Sequence, residues 1–209
     1  MSTQDQAQGT LFIVAAPSGA GKTSLVKALL ENTHNIDVSV SHTTRTRRSG
    51  EEDGKDYHYV DVPTFSNMIS QGAFLEHAQV FDHHYGTSET AVLDQLASGH
   101  DVILEIDWQG AEQVRIRISG TVSIFILPPS RAALRERLTE RGQDDDIIIN
   151  RRMHDAVTEM SHYHEFDYVV VNDVFETALK DLEIIIASQR LHIHNQKQAL
   201  ESLINELLV

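Results

Sequence analysis

The sequence predicts an α/β fold in which a parallel sheet is covered by helices on both faces. An apolar run over residues 10–15 is typical of a buried strand, and a glycine-rich turn separates it from an apolar helical pattern over residues 22–31. Later apolar runs at 102–106, 122–127 and 168–171 are rich in β-branched residues and are separated by helical patterns. Such alternation favours a parallel sheet, because each crossover places a helix on one face.

Length and composition indicate a globular chain and exclude several functional classes. The chain has 209 residues, 41% of them hydrophobic, and a formal net charge of −14. Nucleic acids and anionic membranes repel so acidic a protein, so we expect neither as a partner. The absence of cysteine excludes disulfide scaffolds, thiolate metal sites and cysteine nucleophiles. No apolar run approaches the roughly 20 residues of a membrane span, and the polar start lacks signal-peptide features, so we expect a cytoplasmic protein.

Two segments interrupt the alternation of strands and helices, and both carry clusters of arginine. Residues 41–98 contain short runs rich in threonine, serine, glycine and aromatic residues, which predict a small mixed α/β insertion. Residues 131–152 have a charged helical pattern. The expected organisation is therefore a flexible tail at 1–9, a core at 10–40, 99–130 and 153–209, the insertion at 41–98 and the charged segment at 131–152.

The C-terminal part of the chain has no strong helix-breaking residue from Val174 onward. Apolar residues recur there at helical or heptad-like spacing, which predicts one long amphipathic helix. They are Leu182, Ile186, Ile193, Leu200 and Leu207. The apolar stripe could pack on the sheet or on a second copy of the chain, so a homo-oligomer formed through this helix stays an open alternative.

The clearest chemical signal is the glycine-rich turn from Ala16 to Thr23, between the first strand and the first helix. Glycines let consecutive backbone N–H groups point at one anion, and the helix N-terminus adds its dipole. In such a P-loop, Lys22 reaches the β- and γ-phosphates of a nucleoside triphosphate and the Thr23 hydroxyl binds Mg²⁺. Ala16 stands where the pattern usually has glycine, and the alternative is a turn with an incidental lysine. The expected nucleotide-binding residues are Ala15, Ala16, Pro17, Ser18, Gly19, Ala20, Gly21, Lys22, Thr23 and Ser24.

The apolar run over residues 102–107 ends in two acids, Glu105 and Asp107. A strand beside the P-loop strand would place a carboxylate near the water shell of the metal ion. The alternative is that both acids only mark the solvated end of the strand.

Several motifs resemble those of guanylate kinases and follow one another in the same order. They lie at residues 40–51, 54–57, 74–78, 85–87, 105–110 and 170–173. The similarity is to the bacterial type and extends over about residues 9–187. It implies a P-loop kinase core, a GMP-binding insertion at 41–98 and a helical lid at 131–152.

The resemblance also implies roles for individual residues, and the chemistry suits them. Guanidinium and phenol groups are good donors to a phosphate dianion, and a carboxylate accepts from guanine N1–H and its 2-amino group, while a hydroxyl donates to O6. Arg45, Arg48, Tyr57 and Tyr85 would hold the GMP phosphate, Ser41, Glu76 and Thr87 would read guanine, and Gly86, Glu105 and Asp107 complete the GMP set. Lys22, Arg45, Arg137, Arg141 and Arg152 would be catalytic, and Asn172 would lie near adenine. Glu105 replaces the usual aspartate, so we expect Asp107 to be the main metal-side or arginine-orienting acid.

The implied reaction is transfer of the γ-phosphoryl group from ATP to GMP, which gives ADP and GDP and uses Mg²⁺ as cofactor. No general base is needed, because the GMP phosphate is mostly a dianion at pH 7. Two alternatives remain. One is a P-loop kinase for another nucleoside monophosphate. Glu76 is the residue that would distinguish a GMP kinase from such an enzyme. The other is a guanylate-kinase-like module that binds proteins, although such modules have typically lost the phosphate loop and acceptor residues that are present here.

Overall fold

The computed structural model describes residues 8–80, 82–140 and 146–209. The strands are β1 (Leu11–Ala15), β2 (Ile36–Val38), β3 (His42–Thr43), β4 (His58–Tyr59), β5 (Phe74–Val80), β6 (His83–Ser88), β7 (Asp101–Glu105), β8 (Val122–Leu127) and β9 (Tyr168–Val171). The helices are α1 (Lys22–Asn32), α2 (Val62–Ser70), α3 (Glu89–Ala97), α4 (Trp108–Arg117), α5 (Arg131–Glu140), α6 (Asp146–Ser161), α7 (Phe175–Arg190), α8 (Ile193–Ala199) and α9 (Glu201–Leu207). None of the helices in these ranges combines the length and the apolar character that crossing a membrane requires.

The main sheet has the strand order β2-β7-β1-β8-β9, and all its pairings are parallel. β1 lies at the centre, where Ile13 is opposite Leu104 of β7 and Ser123 of β8. Because the strands are parallel, the loops that follow β1 and β7 leave the same edge of the sheet as neighbours. The prediction of an α/β fold with a parallel sheet is confirmed.

The side chains of β1 alternate between two apolar layers, and all five of its residues are buried. Phe12 and Val14 pack on one face, together with apolar residues of α1 and α7. Leu11, Ile13 and Ala15 pack on the other face, together with apolar residues of α3 and α4. A strand that is buried on both faces is apolar throughout, which explains the uninterrupted run in the sequence.

A second, four-stranded sheet has the order β4-β3-β6-β5. Its β3–β4 pairing is parallel, whereas β3–β6 and β5–β6 are antiparallel. All of its strands fall within residues 41–98, and α2 covers it through Phe65, whose ring centroid lies 4.6 Å from that of Phe74. Helices α5 and α6 have a small apolar cluster of their own that includes Leu134, Leu138 and Met153. The domain bounds given above remain a prediction.

The prediction of one long C-terminal helix is wrong, because the chain forms three helices, α7, α8 and α9. Two amide side chains beyond α7 bind its last carbonyl groups. Asn195 Nδ2 donates to the Gln189 carbonyl and Gln196 Nε2 to the Arg190 carbonyl, both at 2.9 Å. These bonds replace those that a continuing helix would supply, so the helix ends at Arg190.

Candidate active site

The P-loop connects the carboxyl end of β1 to the first turn of α1. Its backbone turns through Gly19 and Gly21, whose φ angles of 91° and 93° lie in the left-handed region that glycine adopts without strain. A Cβ atom on Gly21 would lie 2.4 Å from Asn172 Nδ2, so a side chain has no room there. Within the described chain, α1 begins at Lys22 with no side-chain cap, and its first N–H groups are suited to an anion.

Asn172 and Arg137 fasten the P-loop to the rest of the core. The buried Asn172 donates from Nδ2 to the Ala20 carbonyl oxygen at 2.7 Å. Arg137 donates from Nη2 to the Asn172 carbonyl oxygen at 2.9 Å and from Nη1 to that of Ala20 at 3.5 Å. A loop held in this way keeps its N–H groups oriented before a ligand arrives, which is the basis of electrostatic preorganisation.

A cleft of about 270 Å³ lies between the P-loop, the end of β7 and the second sheet. The predicted residues that line it are Ala16, Pro17, Ser18, Gly19, Gly21, Lys22, Thr23, Ser24, Ser41, Tyr57, Glu76, Tyr85, Glu105 and Asp107. Ala78, Val80, Ile106 and Glu159 also line it and were not predicted. The structure therefore brings the P-loop and much of the predicted GMP-binding set together in one cleft.

Glu76, on β5, is a buried carboxylate at the wall of this cleft, and only 3% of the residue is exposed. The Thr87 hydroxyl donates to its Oε1 at 2.6 Å, and Ser41 Oγ lies 3.1 Å from Thr87 Oγ1. Burial is the main reason why the pKa of Glu76 rises to about 7, with the Thr87 hydrogen bond opposing the shift. On its other side, a Cβ atom on Gly110 would lie 2.6 Å from Glu76 Oε2. Glycine at that position lets α4 approach the carboxylate.

Tyr57 and Tyr85 form an edge-to-face pair beside Arg45, with their ring centroids 5.9 Å apart. The Arg45 guanidinium carbon lies 5.3 Å from the centroid of the Tyr57 ring. Arg45 also forms a two-pronged ion pair with Glu51, through distances of 2.7 and 3.0 Å. Burial is the main cause that raises the pKa of Tyr57, and its interaction with Tyr85 is the second. The phenol therefore keeps the proton that it can donate to an anion.

The two acids at and after the end of β7 have different partners. Thr23 Oγ1 donates to Glu105 Oε2 at 3.3 Å, so Glu105 is the acid next to the expected metal-binding hydroxyl. Asp107 is the N-cap of α4, where its Oδ1 accepts from the Gly110 backbone N–H at 2.9 Å. Asp107 also lines the cleft, so its expected role as the main metal-side or arginine-orienting acid stays a prediction.

Comparison with known proteins identifies the family. The guanylate kinase family model matches residues 8–189. This chain belongs to the guanylate kinase family. It is 56% identical over 200 residues to a guanylate kinase of Alkalilimnicola ehrlichii, with 96% of this chain and 98% of the relative covered. It is 55% identical over 204 residues to that of Escherichia coli K12, with 97% and 99% covered. The crystal structure of guanylate kinase from Anaplasma phagocytophilum matches with a TM-score of 0.76 at 33% identity, over 96% of this chain and 97% of that one.

The other predicted site residues within the described ranges are not among those that line the cleft. Ala15 and Ala20 are buried in the core, and Gly86 packs against the rings of Phe65 and Phe74. Thr87 reaches the cleft through Glu76, and the Arg48 backbone N–H donates to Glu51. Arg152 is partly buried on α6, and Arg137 and Asn172 contact the P-loop from behind. Arg141 lies outside the described residues. The individual roles assigned to all of these residues remain predictions.

Sequence reasoning missed Glu159, a carboxylate that helix α6 contributes to the cleft. Burial raises the pKa of its carboxyl group to about 7, and Lys22 and the Ser18 backbone N–H oppose the shift. Met153, Ala156 and Met160 form the apolar side of α6, and Glu159 follows Ala156 by three residues. An acid next to an apolar stripe at helical spacing was the signal available in the sequence.

Proposed function

We infer that this chain is an enzyme that transfers the γ-phosphoryl group of ATP to GMP and produces ADP and GDP. One observation carries this inference: a single cleft is lined both by the P-loop and by the buried carboxylate Glu76, which is bonded to Thr87. The P-loop suits the phosphates of ATP. The carboxylate and hydroxyl set suits the edge of guanine. The two substrates would therefore meet across the cleft.

Guanine recognition is proposed for Glu76, Thr87 and Ser41. The carboxylate can accept from guanine N1–H and the 2-amino group, and a hydroxyl can donate to O6. Adenine has neither of these donors at the same edge, so AMP would leave the buried carboxylate oxygens without partners. Because Glu76 is almost fully buried, water could not replace the missing donors. This reasoning favours GMP over the other nucleoside monophosphates.

Phosphate binding and alignment are proposed for two groups of side chains, one for each substrate. Lys22 and the N-terminus of α1 would hold the ATP phosphates. Arg45, Arg48, Tyr57 and Tyr85 would hold the GMP phosphate. Because the acceptor phosphate is already mostly a dianion at pH 7, these residues accelerate transfer by alignment and by positive charge around the transferred group. Arg137, Arg141 and Arg152 of the proposed lid would add further positive charge.

Mg²⁺ is proposed as the cofactor bound together with ATP. Its preferred ligands are oxygen atoms, and it usually keeps several waters and phosphate oxygens in its shell. The Thr23 hydroxyl and the Glu105 carboxylate, 3.3 Å apart, are the oxygen donors that fit it here. When bound, the ion supplies positive charge to the β- and γ-phosphate oxygens.

A coupled assay of ADP release tests the proposal, with ATP, Mg²⁺ and each of GMP, dGMP, AMP, UMP and CMP. We expect kcat/KM for GMP to exceed that for AMP by at least about a thousandfold, since a site built to bind donors rejects ligands that lack them. A reaction without an acceptor is the control. We expect it to be slow, because water must be kept from the γ-phosphate. Equal turnover of AMP and GMP, or rapid ADP release without any acceptor, would refute the proposed function.

A further inference from the structure

The carboxylate of Glu51 lies at the centre of the arginine-rich turn and accepts four hydrogen bonds. Arg45 donates from Nη2 to Oε1 at 2.7 Å and from Nη1 to Oε2 at 3.0 Å. The Tyr59 hydroxyl and the Arg48 backbone N–H both donate to Oε2 at 2.7 Å. With four donors, the carboxylate is close to its full capacity.

The pairing fixes which edge of the Arg45 guanidinium has no partner among the described residues. Among the described residues, the side chain of Arg45 donates to Glu51 twice and to the Thr46 carbonyl oxygen once, at 3.0 Å from Nη1. A guanidinium has five N–H donors in one plane. The two that remain are Nε–H and the second Nη2–H, which lie side by side on one edge. Two parallel donors on an edge are the arrangement that binds two oxygens of one phosphate.

The aromatic neighbours hold the plane of the same guanidinium. Its central carbon lies 5.3 Å from the ring centroid of Tyr57 and 5.9 Å from that of Tyr59. Tyr59 therefore contacts both partners of the ion pair, since its hydroxyl also binds Glu51. The side chain of Arg45 is only 11% exposed and that of Glu51 only 20%, so solvent competes weakly with these contacts.

We propose that Glu51 is a positioning residue, which presents the Nε–Nη2 edge of Arg45 to the phosphate of GMP and ties the Arg48 backbone to the same point. This inference rests on the proposed function. It assigns Glu51 no contact with the substrate. Through this one carboxylate, the Arg45 guanidinium and the Arg48 backbone are held together before GMP binds, and GMP does not lose affinity in ordering them.

A purely electrostatic role for Glu51 predicts the opposite outcome of its removal. A negative charge near the phosphate site repels GMP, so neutralising it would strengthen binding. A positioning role predicts that the same change weakens binding, because an amide cannot accept two bonds from the guanidinium fork. The sign of the effect therefore separates the two explanations.

The test compares Glu51→Gln with the matched control Glu52→Gln. Glu52 is the next residue, its side chain is 67% exposed, and its carboxylate pairs with the exposed Lys55 at 3.3 Å. Both variants lose one negative charge from the same turn. We expect Glu51→Gln to raise KM for GMP about tenfold, the effect of losing a charge-assisted bond, and to leave KM for ATP unchanged. We expect Glu52→Gln to resemble the wild type.

Binding of guanosine, which has no phosphate, distinguishes a positioning role from general structural damage. Such damage would weaken guanosine binding as well as GMP binding. Calorimetry should show weaker GMP binding to Glu51→Gln but unchanged guanosine binding. If Glu51→Gln does not fold, Tyr59→Phe removes one hydrogen bond from the carboxylate, and we expect it to raise KM for GMP about threefold. The proposal is overturned if Glu51→Gln behaves like Glu52→Gln, binds GMP more tightly, or changes GMP, ATP and guanosine affinities alike. If the wild type itself does not phosphorylate GMP, the proposed function fails instead.

Discussion

Replacement of Glu76 by glutamine should stabilise the folded protein at neutral and alkaline pH while it weakens GMP binding. Glutamine has nearly the same shape, and its Oε1 can still accept the hydrogen bond that Thr87 donates at 2.6 Å. The change removes a negative charge from a site that is 3% exposed. A buried charge is unfavourable for folding. The variant therefore avoids the free-energy cost of burying the Glu76 carboxylate, which the wild type retains for its function.

The magnitude follows from the pKa of Glu76, which burial raises from 4.5 to about 7 in the folded protein. In the unfolded chain the pKa of the group is about 4.5, so the folded state binds the proton more tightly. Its contribution to stability is complete below pH 4.5 and is lost as the pH rises through 7. At 1.36 kcal/mol for each pKa unit, the total loss is about 3 kcal/mol, most of it between pH 5 and pH 8. The variant has no such loss.

Urea denaturation of the two proteins at pH 5, 6, 7 and 8 measures this difference. We expect the free energy of unfolding of Glu76→Gln, relative to the wild type, to increase with pH by about 2–3 kcal/mol over this range. Glu52→Gln, whose parent side chain is exposed, is the control and should show no comparable trend. A pH-independent difference between Glu76→Gln and the wild type would refute the reasoning, and so would a variant that loses stability relative to the wild type as the pH rises.

Two glycine substitutions test the close contacts on either side of the cleft. Gly21→Ala should raise KM for ATP and lower the melting temperature, because its Cβ would lie 2.4 Å from Asn172 Nδ2 at a φ of 93°. Gly120→Ala is the control, since its φ of 79° is similarly strained but nothing lies within 4 Å of its Cβ, and ATP affinity equal in the two variants would contradict the explanation. Gly110→Ala should raise KM for GMP and leave KM for ATP unchanged, because its Cβ would lie 2.6 Å from Glu76 Oε2. Wild-type kinetics for Gly110→Ala would show that the carboxylate has room to move.

Contiguous features of the site could be predicted from the sequence. The P-loop is one short segment in which the glycines, lysine and threonine have recognisable spacing. The apolar runs predicted the parallel sheet because buried strands have a distinctive pattern. The prediction of the guanine-binding residues depended on a family resemblance, since Ser41, Glu76 and Thr87 are ordinary residues when considered one at a time. The structure shows that a hydrogen bond joins Thr87 to Glu76 and that Ser41 lies beside Thr87.

Contacts between distant segments could not be predicted, because no local pattern encodes them. Asn172 reaches Ala20 only because β9 lies in the same sheet as β1. The end of α7 depends on the amide side chain of Asn195 folding back onto a carbonyl group. A periodic apolar pattern continues past such a cap, which is why periodicity alone predicted a longer helix.

The turn between β7 and α4 links the two halves of the cleft. On one side, Glu105 accepts from the hydroxyl of Thr23 in the P-loop. On the other side, Gly110 allows α4 to approach the carboxylate of Glu76. Between them, the side chain of Asp107 caps α4 and accepts from the Gly110 backbone N–H at 2.9 Å. Because the cap fixes where the helix begins, it also fixes how far Gly110 lies from Glu105. The Asp107 cap therefore connects the acid beside the P-loop to the glycine beside Glu76.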